Sequence, residues 1–240
     1  MRKTTRLKEL ILDPEILVMP GAHDSLVARI IEQAGFQGVT LGGYPATANL
    51  LGKPDVSLLT MTEMVEYTRR ICGAVDIPVF TDGDTGYGNV TNVFRTVKEM
   101  ERAGAAGMFI EDQVFPKRCG HMEGKQVIPA EEMMAKIKAA LDARTDPDFI
   151  LMARTDALAV HGIEEAIRRR KLARIVLTSC RGHMPFQSIA LHNWACVGAA
   201  PVALHMSYKR GLSYRMVTLL TPDSILRSTR FIAVSKSGDW

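Results

Sequence analysis

The sequence predicts an α/β protein on a parallel sheet, and within that class a (β/α)8 barrel of the TIM type. Three observations point there. Short apolar runs alternate with amphipathic stretches five times in a row over the first 170 residues, the order that builds parallel sheets with crossover helices. Polar residues collect at the C-terminal end of strand after strand, where a barrel keeps its active site. The first run ends in "PGAHDS", not in the GxGxxG of an open dinucleotide-binding sheet.

Each element has its own local cause. "EILVMPGA" reads as a first strand closed by a Pro-Gly turn. The helix that follows puts Leu26, Ile30 and Ile31 on one face and stops at Gly35. "GVTLGG" is a second strand. Thr60 and Glu63 form a capping box that opens the helix "EMVEYTRRICGAV". "IPVFTDGDTGYG" is a third strand running into an acidic, glycine-rich loop, and "VFRTVKEMERAGAAG" its helix. "GMFIEDQ" and "PAEEMMAKIKAALDAR" make the fourth unit, "DFILMARTDA" and "IEEAIRRRKLA" the fifth.

Composition narrows the function classes. No stretch reaches the run of about 18 apolar residues that a membrane span needs. The start "MRKTTRLKELILDPE" lacks the apolar core of a secretory signal, so a cytoplasmic protein with no membrane partner is expected. Cys72, Cys119, Cys180 and Cys196 show neither CxxC pairing nor zinc-ligand spacing and read as reduced thiols. The net charge of +4 is uneven. Residues 1–170 carry 21 Lys and Arg against 24 Asp and Glu; residues 171–240 carry 9 against 2, with no Glu, and 8 of the 10 serines. The tail shows no nucleic-acid-binding motif, so no nucleic-acid partner is expected.

The strand ends hold the chemistry. Asp82 and Asp84 stand two apart and would point to one side if the strand continues through them. Glu111 ends the fourth strand and Asp55 lies in "GKPD". Carboxylates gathered at one mouth repel unless a proton or a cation neutralises them, and hard oxygen donors suit Mg²⁺, or Mn²⁺ in its place. The competing reading is that these acids cap helices or pair with surface cations. Arg154 either grips a substrate carboxylate in bidentate fashion or pairs with Asp156 in the rim. In "KRCGHMEGK", Lys117, Arg118 and His121 crowd Cys119. Cationic neighbours would lower the thiol's pKa, and Gly120 and Gly124 would let the loop move as a lid.

Together, "EDQVFPKRCGH", "TDGDTGYGN", "ARTDA" and "LGKPD" resemble the isocitrate lyase and phosphoenolpyruvate mutase superfamily, in particular its lyase branch, over roughly residues 8–170. The resemblance implies a (β/α)8 barrel, usually a homotetramer, acting on a small carboxylate. Asp82, Asp84 and Glu111 match the family's Mg²⁺ site, with Asp55 nearby. Arg154 matches the arginine that holds the pyruvate-like part of the substrate. Gly43 and Tyr44 match the lining of that pocket. Lys117, Arg118, Cys119, Gly120 and His121 match the catalytic gating loop, with Cys119 as its acid. The implied activity is cleavage of a 2-hydroxy di- or tricarboxylate, such as a 2-methylisocitrate or 2-alkylmalate, to a 2-oxo acid and a second carboxylate. Oxaloacetate hydrolysis and carboxyphosphonoenolpyruvate phosphonomutase chemistry are the alternatives.

Two departures stand out. Gly42 occupies a position where the family often has Ser, with Thr40 close in sequence. After "GIEEAIRRR" the family continues into strands ending in an active-site glutamate and asparagine, and neither has its expected context here. The sequence therefore divides into a family-like portion, 1–170, and an atypical basic tail, 171–240, of frameshifted or unrelated origin. Such a barrel would be incomplete after the fifth β/α unit, and an inactive family member is the third reading.

Overall fold

A computed structural model describes residues 1–179 and, beyond them, three short strands. Helices α1 (Lys3–Leu12) and α2 (Ser25–Gln33) lead into β1 (Val39–Leu41), α3 (Gly43–Leu51) and α4 (Met61–Ala74). Then come β2 (Val79–Asp82), α5 (Val90–Arg102), β3 (Gly107–Glu111), α6 (Ala130–Ala143) and β4 (Ile150–Thr155). Helices α7 (Ala157–His161) and α8 (Ile163–Ser179) follow, and then β5 (Ile189–Leu191), β6 (Leu204–Tyr208) and β7 (Tyr214–Arg215). Pairing runs as one series from β1 to β7. It is parallel from β1 through β5 and antiparallel from β5 to β6 and from β6 to β7. The parallel α/β architecture is the one expected. Within the expected tail, α8 continues the preceding unit through Ser179; the rest of 171–240, apart from the three strands, lies outside the described residues. No described helix is long and apolar enough to cross a membrane.

Side chains alternate across the strands, and the alternation sets the site. Phe80 and Ile150 pack in one cluster with Leu7, Leu10, Leu17, Met19 and Ala106, joined by the partly buried Phe109 and Met152. Val79, Met108, Ile110, Leu151 and Ala153 belong to the larger cluster shared with the helices. Stepping by two along the first face leads from Phe80 to Asp82, from Phe109 to Glu111 and from Met152 to Arg154. One polar residue from each of three neighbouring strands thus crowns the inner apolar floor. Helix α1 closes the other end of that floor with Leu7 and Leu10. Its polar side is tied to the α6–β4 turn, where Thr4 and Thr5 donate to Asp146 and Asp148 (2.7 and 2.8 Å) and Lys8 pairs with Asp148 at 2.7 Å.

The capping box of α4 forms as expected: Glu63 N donates to Thr60 Oγ1 at 3.3 Å and Thr60 N to Glu63 Oε2 at 2.8 Å. Gly35 ends α2 with φ +89°. Three expectations are corrected. The first strand is reduced to a single parallel bridge at Gly21, held by Ala22 N to Thr40 O and Thr40 N to Pro20 O; Pro20 has no N–H with which to extend the ladder. Leu26 and Ile30 are exposed, because α2 turns Ala28 and Ile31 inward. The β2 strand stops at Asp82, and Asp84 sits in a turn with φ +50°.

Candidate active site

The mouth is built from the ends of β1 to β4 and the 112–128 loop. Asp82 Oδ1 accepts Asp84 N at 2.8 Å, so the Asp-Gly-Asp turn folds back on its own first carboxylate. Asp82 Oδ2 accepts Gly43 N, the first residue of α3, at 2.9 Å. A side chain at Gly43 would stand 3.2 Å from both Asp55 and Asp82 and 3.4 Å from the Lys117 ammonium. That close approach is why a glycine fits there. Lys117 lies in the middle, 2.6 Å from Asp55 Oδ2 and 2.8 Å from Asp84 Oδ1. Arg154 sits 2.9 Å from Glu111 Oε2 and 3.1 Å from Asp156 Oδ2, over the Phe109 ring. The pairing of Arg154 with Asp156 is one of its two expected roles.

Burial dominates the electrostatics. It raises Asp84 to about 6, with Asp82 and Asp55 adding to the rise and Lys117 opposing it. It also holds Glu111 well above the usual carboxylate range, against Arg154 and Lys117. Burial works against the charge on Lys117, but Asp84, Glu111, Asp82 and Asp55 outweigh it and keep the ammonium protonated well above its ordinary value. Asp84 Oδ1 and Glu111 Oε2 are buried and accept no well-aligned hydrogen bond. The cations near them are close enough for attraction but out of line for a bond.

Among the described residues, no three His, Cys, Asp or Glu side chains converge as a ready-made metal cage. Mg²⁺ does not require one, since it keeps several waters and takes few protein oxygens. The residues present fit such an ion. Asp84 Oδ1 and Glu111 Oε2 are each held only by an ion pair, to Lys117 and Arg154, with no aligned hydrogen bond. Among the described residues, the five carboxylates of Asp55, Asp82, Asp84, Glu111 and Asp156 share the three cations Lys117, Arg154 and Lys125, a formal excess of two negative charges among these groups.

The loop brings Cys119 to this mouth. Cys119 is buried, its N–H donating to Asp55 O at 2.9 Å and its Sγ lying 3.3 Å from His121 Nδ1. The expected lowering of its pKa is reversed. Burial pushes the thiol up to about 11, Asp55 adds to the rise, and Lys117, the His121 backbone hydrogen bond and Arg154 only partly offset it. Arg118 does not enter the mouth: it is exposed, and its guanidinium donates to Glu123 O of its own loop. Gly120 is buried and its carbonyl accepts from Lys125. His121 is exposed and meets Tyr44 edge to face, ring centroids 5.6 Å apart.

Gln113 and Lys125, given no role by the sequence reasoning, organise this arrangement together with Asp112, which ends the predicted fourth strand beside Glu111. Buried Gln113 donates to Glu111 (3.0 Å), Asp156 (3.2 Å) and Arg118 O (3.0 Å), and accepts Arg118 N (3.1 Å). Asp112, opposite Glu111 in the alternation, accepts Thr155 Oγ1, Asp156 N and Arg169 Nη1. Lys125 reaches Asp156 at 3.5 Å. A glutamine and a lysine flanking the cysteine loop were the available signal.

Residues 7–174 match the profile of the phosphoenolpyruvate phosphomutase family. A 2,3-dimethylmalate lyase from Eubacterium barkeri is 50% identical over 169 residues, covering 70% of this chain and 58% of that protein. The chloroplastic carboxyvinyl-carboxyphosphonate phosphorylmutase of Arabidopsis thaliana is 52% identical over 175 residues, covering 71% and 52%. The chain thus spans about half the length of the curated relatives it matches. Among solved structures, a 2,3-dimethylmalate lyase of the PEP mutase/isocitrate lyase superfamily superposes with a TM-score of 0.70 at 36% identity, over 73% of this chain and 60% of that one. An oxaloacetate acetylhydrolase bound to 3,3-difluorooxalacetate gives 0.70 at 37%, over 72% and 60%. A phosphonopyruvate hydrolase complexed with oxalate and Mg²⁺ gives 0.72 at 32%, over 83% and 66%.

Proposed function

The chain belongs to the phosphoenolpyruvate mutase/isocitrate lyase superfamily, and from that premise we propose that it is a Mg²⁺-dependent carbon–carbon lyase of 2-hydroxy di- or tricarboxylates. The observation that carries the reading is Cys119: a buried thiol whose backbone is held by Asp55, at the edge of a carboxylate floor where Asp84 Oδ1 and Glu111 Oε2 have only an ion pair each. Asp82, Asp84 and Glu111 would hold the ion. When bound, Mg²⁺ supplies Lewis acidity toward the substrate's 2-oxygen and adjacent carboxylate.

The chain's own groups do the rest. Arg154 grips the carboxylate of the pyruvate-like half, with its guanidinium carbon 5.7 Å from the Phe109 ring centroid. The Gly43 backbone and Tyr44 line the same pocket, and Asp55 fixes the Lys117 ammonium beside it. The hydroxyl proton leaves to the carboxylate floor as the carbon–carbon bond breaks. The bonding electron pair goes to the carbon beside the departing half's own carboxylate, and Cys119 gives that carbon its proton. A thiol with a pKa about 11 is fully protonated at neutral pH, as a donor to a far more basic carbanion must be. Gly120 and His121 seal the mouth against competing water.

The 2-alkylmalates are the preferred substrate class, supported by the 2,3-dimethylmalate lyase relative. Oxaloacetate hydrolysis is the second reading, supported by the acetylhydrolase superposition. The test offers 2,3-dimethylmalate, 2-methylisocitrate, isocitrate and oxaloacetate with Mg²⁺ and follows 2-oxo acid or oxalate. The expected result is pyruvate release that ceases with EDTA and falls about 10²–10⁴-fold in Cys119→Ser. Oxalate and acetate alone would favour the hydrolase.

The family-like portion 1–170 is proposed as the catalytic wall and the basic tail 171–240 as divergent sequence, supported by the end of the family match at residue 174. A folded, monodisperse sample without turnover would favour an inactive family member. A homotetramer in the cytoplasm completes the proposal, and sedimentation velocity checks its mass.

A further inference from the structure

The Asp156 carboxylate is a junction. It is fully buried at the end of β4. From its own strand it receives Arg154, at 3.1 Å and 3.3 Å. From the far side of the mouth it receives Gln113 Nε2 at 3.2 Å and Lys125 Nζ at 3.5 Å. Both of those residues also hold the backbone of the cysteine loop. Gln113 pairs its amide with the N–H and carbonyl of Arg118, and Lys125 donates to the carbonyl of Gly120. Cys119 lies between those two anchored residues. The Asp156 backbone is itself set by Asp112, which Arg169 of α8 neutralises at 3.0 Å. The loop's return is fixed at the same point, because Ile128 N donates to Asp112 O and Ile128 O accepts from Arg169.

We propose that Asp156 is a positioning residue that couples Arg154 to closure of the Cys119 loop, with Lys125 and Gln113 as its two ties to the loop. One carboxylate orients the arginine that grips substrate and anchors the segment that carries the proton donor. Loss of the Lys125 tie releases the loop and leaves Arg154 in place. Loss of the Asp156 charge disturbs both. The reaction part of this inference rests on the lyase reading; the loop part does not.

The experiment measures the rate at which iodoacetamide alkylates Cys119 in the folded protein, read by peptide mass spectrometry so that the other cysteines do not interfere. It is run on wild type, Lys125→Met, Lys125→Arg and Asp156→Asn, with folding checked by circular dichroism. Lys125→Met is expected to raise the Cys119 rate at least about tenfold, and Lys125→Arg to restore most of the protection. In turnover, Lys125→Met should lower kcat with KM within about twofold, whereas Asp156→Asn should also raise KM. If Asp156→Asn does not fold, Lys125→Met with its arginine rescue decides the matter. Unchanged alkylation in folded Lys125→Met overturns the tie. A faster Cys119 rate in a chain that turns over none of the four acids upholds the loop coupling and overturns only the lyase reading.

Discussion

At Cys119, burial and charge pull in opposite directions, and burial wins. Lys117 and Arg154 favour the thiolate, yet the thiol is pushed up to about 11 because Asp55 and the lost hydration oppose them. Since only the thiolate is alkylated, the Cys119 rate should climb about tenfold per pH unit from neutrality and level off only near 11. A midpoint at or below the ordinary thiol value would mean that the cationic neighbours dominate. This is also where sequence reasoning reached its limit. That Asp82, Asp84, Glu111, Arg154 and Cys119 gather at one mouth was legible, because strand ends and a distinctive loop pointed to it. Whether a neighbour in sequence becomes a neighbour in space was not. Arg118 is one residue from Cys119 and faces solvent, while Asp55 is 64 residues away and touches its backbone. The bond from Gln113 to Asp156 joins residues 43 apart, which no spacing within one segment encodes.

At the level of elements, helix positions follow periodicity and capping, as Thr60 and Glu63 illustrate for α4. The short helices α3 and α7 and the N-terminal α1 have no such side-chain cap, and α1 is held by tertiary partners. For α1 the partners are Asp146 and Asp148. Hydrogen bonds from Lys8 and Thr5 hold the Asp148 carboxyl below its usual value of 3.8, against slight burial. A folded-state pKa lowered in this way contributes stability above the unfolded value and loses it as pH falls through the folded one. Asp148→Asn should therefore melt below wild type at neutral pH, and the gap should close as the pH falls from the ordinary carboxylate value through the lowered folded one. A gap that stays constant across that range would assign its cause to packing instead of charge.

For the molecule as a whole, the excess of carboxylates at the mouth gives a measurable expectation. Mg²⁺ should raise the melting temperature, by the equivalent of about 2.7 kcal/mol at a hundred times its Kd. Asp84→Asn should abolish most of that rise. No rise at any Mg²⁺ concentration, in a folded wild-type protein, would remove the ion from the reading. The parallel architecture was legible because alternation repeats over a long stretch and any one element can fail without losing it. The first strand did fail, shrinking to a bridge beside β1. The docking of α1 has a further consequence, for the order in which the chain assembles. Thr4 and Thr5 find their partners 142 and 143 residues downstream. Contacts of such long range are slow to form, because the loop between them must close first. During synthesis the first helix leaves the ribosome with its apolar stripe of Leu7 and Leu10 uncovered. Part of its cover, Leu17, Met19 and Phe80, is made early, but Ile150 and the Asp146 and Asp148 anchors come only with the fourth strand. A nascent chain stalled before Asp146 would thus hold α1 through Lys3 on the Cys72 and Val75 carbonyls, with its apolar stripe only partly covered.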